Sequence, residues 1–304
     1  MPDFEVLAEN LQFPEGPIVM PDGSVILVEI KRGTLTRVWN GKSEIIAHLG
    51  GGPNGAAFGP DGAVYVCNNG GFAWHDVSGL TIPGHAAADY TTGRIERVDL
   101  ATGKFERVYE SVNGERLSGP NDIVFEKSGA FWFTDLGKSR ARVKEKGGLY
   151  YAKPDGSLIK EAMYGSASGL NGVGLSPDGK TVYAAETDTA RLWAFDIVGP
   201  GEVAPRAPGY MARFVAGMSE HCYFDSLAVQ ANGDVCIATI VKGGISTITP
   251  EGAVSHTAFP DVLVTNIAFG GADMRDAYIT LSGTGKLIKA RWPEPGLKIN
   301  FNPY

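Results

Sequence analysis

Cysteine, histidine and long apolar runs are all scarce in this chain, and each scarcity removes a class of function. Only three cysteines occur in 304 residues, Cys67, Cys222 and Cys236, and none has a spacing suited to a metal site. Cys67 and Cys236 sit inside apolar strand-like runs, so the three read as buried free thiols of a reducing compartment. No stretch approaches the roughly twenty apolar residues of a membrane span. Met1-Pro-Asp-Phe-Glu-Val has no basic region leading into an apolar run, so no signal peptide is expected and the expected location is cytoplasmic. A basic excess is missing too. With 27 Lys and Arg against 34 Asp and Glu the formal net charge is −7, which offers no face to nucleic acid or to an anionic membrane.

What the chain has in quantity is turn residues, with 41 glycines and 18 prolines, as many tight turns require. The stretch Gly169-Leu-Asn171-Gly-Val-Gly-Leu-Ser-Pro-Asp178-Gly, followed by Lys180-Thr-Val-Tyr-Ala-Ala-Glu186-Thr187, reads as two strands around a Pro-Asp-Gly turn. The pattern recurs. Glu15 precedes Asp22, Asn54 precedes Asp61, Asn121 precedes Ser128, Asn171 precedes Asp178, Asp225 precedes Asn232 and Asn266 precedes Asp273, each by seven positions. Six all-strand repeats with no helical period between them predict an all-β, six-bladed propeller over residues 1–304 as a single domain. Residues 4 to 11 read as a lone strand that pairs into the last blade and closes the circle without a free edge.

Three segments fall outside the repeats. Asn68 to Tyr90 reads as a long loop on the Asn54 end of the channel, with Phe72, Trp74, His75, His85 and Tyr90 as lid candidates. Val198 to Gly209 reads as a Gly/Pro/Ala-rich link inside the fourth blade, and Pro293 to Tyr304 as a loose C-terminus.

The innermost strand of each blade borders the channel, so Glu15, Asn54, Asn121, Asn171, Asp225 and Asn266 are expected to converge as one ring of oxygens. Carboxylates and carboxamides without histidine suit a hard divalent cation, Ca²⁺ first, and argue against a dedicated zinc or copper site. A ring that merely holds ordered water is the plainer alternative, weakened by the cost of packing carboxylates together with no cation.

At Phe13-Pro-Glu15-Gly-Pro, Gly119-Pro-Asn121-Asp122, Gly169-Leu-Asn171-Gly-Val, Tyr183-Ala-Ala-Glu186-Thr187 and Phe224-Asp225-Ser226 the chain resembles the family of senescence marker protein 30, gluconolactonase and luciferin-regenerating enzyme. The resemblance spans nearly the whole chain. It implies a six-bladed propeller that hydrolyses a small-molecule lactone. The residues matching Glu15, Asn171 and Asp225 would ligate one divalent cation, Ca²⁺ or alternatively Mn²⁺, Zn²⁺, Fe²⁺ or Mg²⁺, with Asn121 ligating it directly or through water or substrate. It further implies Asp225 as general base or nucleophile, with Asn121 and Asn171 orienting ion and substrate oxygen. Asn54, Asn266, Trp74, His75 and His221 are the expected substrate contacts, His221 standing four residues before Asp225 at the pocket mouth.

The chain departs from the resemblance at Gly119. Sugar-lactone members commonly carry an arginine there, two residues before the Asn of the third blade, and its loss together with Phe72, Trp74, Trp132 and Tyr223 points to a less polar lactone. Trp132, inside a strand, reads more simply as core. Two other functions fit the same ring: a phosphotriesterase-like hydrolase, and a non-catalytic binding propeller with a structural metal.

Overall fold

The turn residue of every repeat does the same local work. In the computed structural model, which describes residues 1–206 and 212–303, Asp22 accepts a hydrogen bond from Ser24 N, Asp61 from Ala63 N and Ser128 from Ala130 N. Asp178, Asn232 and Asp273 accept likewise from Lys180 N, Asp234 N and Arg275 N. A side-chain acceptor two residues before the amide it binds holds a turn from local sequence alone. The spacing of seven is therefore a strand of six or seven residues ending in a self-bonded turn.

The six inner strands are Pro14–Val19, Pro53–Phe58, Pro120–Phe125, Leu170–Leu175, Tyr223–Val229 and Val264–Gly270. Each heads an antiparallel sheet that runs outward from the axis, and the described residues contain no helix, so none that could cross a membrane. Apolar clusters fill the wedges between sheets: Tyr65, Phe125 and Phe131 between blades 2 and 3, and Trp132 with Tyr151, Leu170 and Val182 between blades 3 and 4. Trp132 is fully buried, its ring 5.0 Å from that of Tyr151, so the core reading holds for it. Near the axis neighbouring strands nearly touch. A Cβ at Gly16, where φ is +53°, would lie 2.6 Å from Asn54 O, so only glycine fits.

The last blade is completed by the first strand. Phe4–Ala8 pairs antiparallel with Lys286–Arg291, Phe4 opposite Ala290 and Val6 opposite Ile288. The three cysteines are buried and unbridged, as expected.

Two expected irregular segments are ordered instead. The stretch Asn68 to Tyr90 is not a loop but carries a hairpin, Phe72–Val77 with Leu80–Ala86, turned at Ser78-Gly79 with φ of 53° and 80°. Two positive φ values give the turn a twist that matches the strands. The C-terminus is likewise not loose. Gly296 pairs with Gln230, Leu297 N donates to Val229 O, and Asn300 Nδ2 donates to Phe125 O, which carries the tail across the turn end of the channel. In the fourth blade, the first part of Val198 to Gly209 folds back as Glu202–Val203 on the strand Arg191–Gly199, and residues 207–209 lie outside the described residues.

Candidate active site

The ring residues share a backbone irregularity as well as a register. Pairing of the inner strand shifts between Glu15 and Ile18, Pro53 and Ala56, Pro120 and Ile123, Leu170 and Val173, Phe224 and Leu227, and Val264 and Asn266. A bulge re-aims the side chain it carries, and six bulges at one level turn six polar side chains toward one axis. Sequence alternation gives no sign of this.

A second repeat lies fourteen positions after the ring residue, fifteen in blade 4, and the sequence reading missed it. Glu29 accepts from Gln12 N at 2.7 Å, Asn68 Oδ1 from Gly52 N at 2.9 Å, Asp135 from Ser118 N and Gly119 N at 2.9 and 2.8 Å, and Glu186 from Ser168 N at 2.6 Å. Each ties down the segment entering its own inner strand. Blades 5 and 6 carry Thr239 and Thr280 at that offset, bonded to the hydroxyls of Ser246 and Thr265. The spacing was there to be read once the first register was known.

Hydrogen bonding divides the ring into struts and free oxygens. Asn266 Nδ2 donates to Glu15 Oε2 at 2.6 Å while its Oδ1 accepts from Ile267 N at 2.7 Å, so both ends are engaged. Asn54 Nδ2 donates to Asn121 O at 3.2 Å. These two expected substrate contacts brace the ring. By contrast Glu15 Oε1, Asn121 Oδ1 and Asn171 Oδ1 are buried with no hydrogen-bond partner. Such oxygens are costly to leave unsatisfied. Asn171 Nδ2 donates to Thr187 Oγ1 at 3.2 Å, which turns Oδ1 the other way.

The carboxylates lack cationic company. Burial, aided by the charge of Asp225, raises Glu15 well above the usual carboxylate range. Burial lifts Asp225 to about 7 despite a hydrogen bond with Asn171, and Asp122 contributes further repulsion. Asp122, buried beside Asn121 and given no role by the sequence reading, is lifted by burial to about 7 while its oxygens accept from Ile123 N and Val173 N. Two carboxylates and two carboxamides at Glu15, Asn121, Asn171 and Asp225, three of them presenting an unpartnered buried oxygen, form the donor set a hard divalent cation takes.

The hairpin roofs one side of this end. From its root in blade 2 it reaches blade 1 through Phe13 and Trp74, with ring centroids 5.1 Å apart, blade 6 through Thr81 N to Gly283 O, and blade 3 through Ala86 N to Ser139 O. Phe72 and Trp74 share one half-buried face; His75 is on the other, exposed, and so is His85 on the second strand. His221 is exposed on the fifth blade, its Nε2 3.2 Å from Tyr223 Oη. Lys138 was not foreseen. Its buried Nζ donates to Asn69 O at 2.7 Å and Asn69 Oδ1 at 3.1 Å and lies 4.1 Å over the Phe72 ring and 4.9 Å over Tyr90. Burial pushes its ammonium down to about 7.

Against known proteins, the model of the SMP-30/Gluconolactonase/LRE-like region matches residues 13–283. The gluconolactonase of Zymomonas mobilis is 26% identical over 278 residues, 82% of this chain and 70% of the relative. The lactonase drp35 of Staphylococcus saprophyticus is 26% identical over 256 residues, 83% of this chain and 71% of the relative. Among solved structures, the gluconolactonase of Xanthomonas campestris superposes with a TM-score of 0.74 at 20% identity, covering 95% of this chain and 89% of its own.

Proposed function

Since the chain belongs to the SMP-30/gluconolactonase/LRE-like family, we propose that it is an ester-bond hydrolase that opens a small-molecule lactone at the ring. The relatives named gluconolactonase and lactonase drp35 support that reaction class. The observation that carries the reading to these residues is the set of unpartnered buried oxygens on Glu15, Asn121 and Asn171. With Asp225 they would hold one divalent cation, Ca²⁺ in first place. Bound there, such an ion supplies Lewis-acid polarisation of an ester carbonyl.

The rest of the chemistry falls to the chain. Asp225 is the ring carboxylate that keeps partial solvent access, whereas Glu15 is 2% exposed. A carboxylate oxygen of Asp225 takes a proton from water as the water oxygen adds to the lactone carbonyl carbon. When the ring C–O bond breaks, that proton goes to the departing alkoxide and the carboxylate is restored. Asn121 and Asn171 fix the orientation of substrate oxygen, each in a strand held by the bulge and by the fastening carboxylates Asp135 and Glu186.

The test is lactone hydrolysis by pH indicator on metal-stripped protein, repeated after adding Ca²⁺, Mn²⁺, Zn²⁺, Fe²⁺ or Mg²⁺. Activity should vanish on chelation and return with a cation, and Asp225→Asn should lower kcat/KM by about a hundredfold or more. Full activity of the chelated protein would sink the cation role. Faster turnover of an aryl phosphotriester than of any lactone would replace the substrate class.

A further inference from the structure

Two positions before each ring residue, where its inner strand begins, stand Phe13, Gly52, Gly119, Gly169, Tyr223 and Val264. None is charged. Gly119 has no room for any side chain, because a Cβ there would lie 2.6 Å from Gly137 O. The loop after Asp135 occupies the space, so no side chain can reach the substrate from this position. Phe13 holds a left-handed φ of +58°, a conformation that costs a bulky residue energy and calls for a reason. In that conformation its ring packs 5.1 Å from Trp74, and Trp74 lies 6.1 Å edge-on from Phe72. A continuous aromatic wall thus runs from beside Glu15 along the roof hairpin.

Several cations around this end are already paired. Lys138 is enclosed by Asn69, Phe72 and Tyr90, Lys31 pairs with Asp76 at 3.1 Å, and Lys144 pairs with Asp188. The Tyr223 hydroxyl meets His221 Nε2, and the Thr187 hydroxyl accepts from Asn171. A sugar lactone brings several hydroxyls that need partners once they leave water, and beyond the unpartnered Asn69 Nδ2 and Ser226 Oγ these walls have few to give.

Resting on the lactonase reading above, we infer that the substrate is a lactone bearing an apolar alkyl or aryl substituent seated against Phe13 and Trp74, and not a polyhydroxylated one. The polar ester faces the ring and the substituent faces the hairpin.

Three six-membered lactones test this at matched ring size: δ-valerolactone, δ-nonalactone and D-glucono-1,5-lactone, assayed on the whole chain with the activating cation present. The expected order of kcat/KM places δ-nonalactone first, above the gluconolactone by at least about tenfold. Trp74→Ala should lower the ratio of δ-nonalactone to δ-valerolactone about tenfold, mainly through KM, and Trp74→Phe should restore most of it. Both substrates are read on one preparation, so a loss of folded protein cancels from the ratio. Preference for the gluconolactone, or a ratio indifferent to Trp74→Ala, overturns the inference and leaves the lactonase reading standing. No turnover of any of the three overturns both.

Discussion

The amide of Asn171 can face the ring by either end, and Thr187 selects which. Nδ2 donates one hydrogen to Thr187 Oγ1 at 3.2 Å and bonds Asp225 as well, and Oδ1 is left buried and unpartnered. An outer partner of this kind typically changes cation affinity by about 10–100-fold. Thr187→Val keeps the shape and removes the acceptor, so Ca²⁺ binding to the metal-free protein, followed by titration calorimetry, should weaken about tenfold. Thr187→Ser should recover it. Equal affinity in all three proteins would mean that the amide orients itself without help. The sequence supplied the oxygens at this scale, since the spacing of seven marks Glu15, Asn121, Asn171 and Asp225 together. The spacing alone could not separate these from Asn54 and Asn266, which occupy the same register and differ in where their hydrogen bonds go; only the family resemblance set them apart.

Among the elements, those written by local rules were legible and the hairpin was not. Turns at Asp22, Asp61 and Asp178 bond to their own backbone, so the pattern on the page is the cause of the structure. The first strand alternates only from Phe72 to His75, Pro83 interrupts the second, and two strands alone are marginal in water. Its stability comes from distant partners at Phe13, Gly283, Ser139 and above all Lys138 at its root. Cation–π contact with Phe72 and Tyr90 holds the ammonium there against the cost of burial, with Asp135 and Glu145 favouring the charge and Arg140 opposing it. With the folded pKa lowered to about 7, the unfolded chain keeps a proton between about pH 7 and 10 that the folded chain has lost. Stability therefore rises with pH through that window, by at most about 1.4 kcal/mol per unit from this group. In urea unfolding at pH 7 and pH 9, wild type should gain on Lys138→Met as the pH rises, and amides of residues 72–86 should exchange faster in the variant. Parallel pH slopes would show that Lys138 is neutral, or charged, across the whole range.

At the level of the molecule, closure of the circle was legible because both halves of the joint are strands. Phe4–Ala8 reads in the sequence as a strand with no neighbouring strand before the first repeat, and the last repeat is one strand short, so the two pair. The tail differs, because it is held by backbone groups that no residue pattern announces. Ala231 N donates to Pro295 O, Gly296 N to Met274 O and Leu297 N to Val229 O, with Phe301 edge-on to Phe125 at 6.1 Å. Between tail and ring lies a cavity of about 370 Å³, walled by residues such as Val124, Val173, Leu227 and Ile267 and bounded below by Leu297 to Asn300. Ending the chain after Trp292 would expose that apolar wall to water and leave the Val229 and Met274 carbonyls to be solvated. Loss of the Leu297 and Phe301 contacts together with these hydrogen bonds should cost about 2–4 kcal/mol. For a chain of this size that lowers Tm by about 5–10 °C. The ring stands at the other end of the channel, so lactone turnover per folded molecule at 25 °C should stay within about threefold, a change in barrier of under 1 kcal/mol. An unchanged Tm would make the tail an ornament of the surface. A collapse of turnover in the folded variant would instead show that the cavity communicates with the ring, through Asp122 and Asn266, which border both.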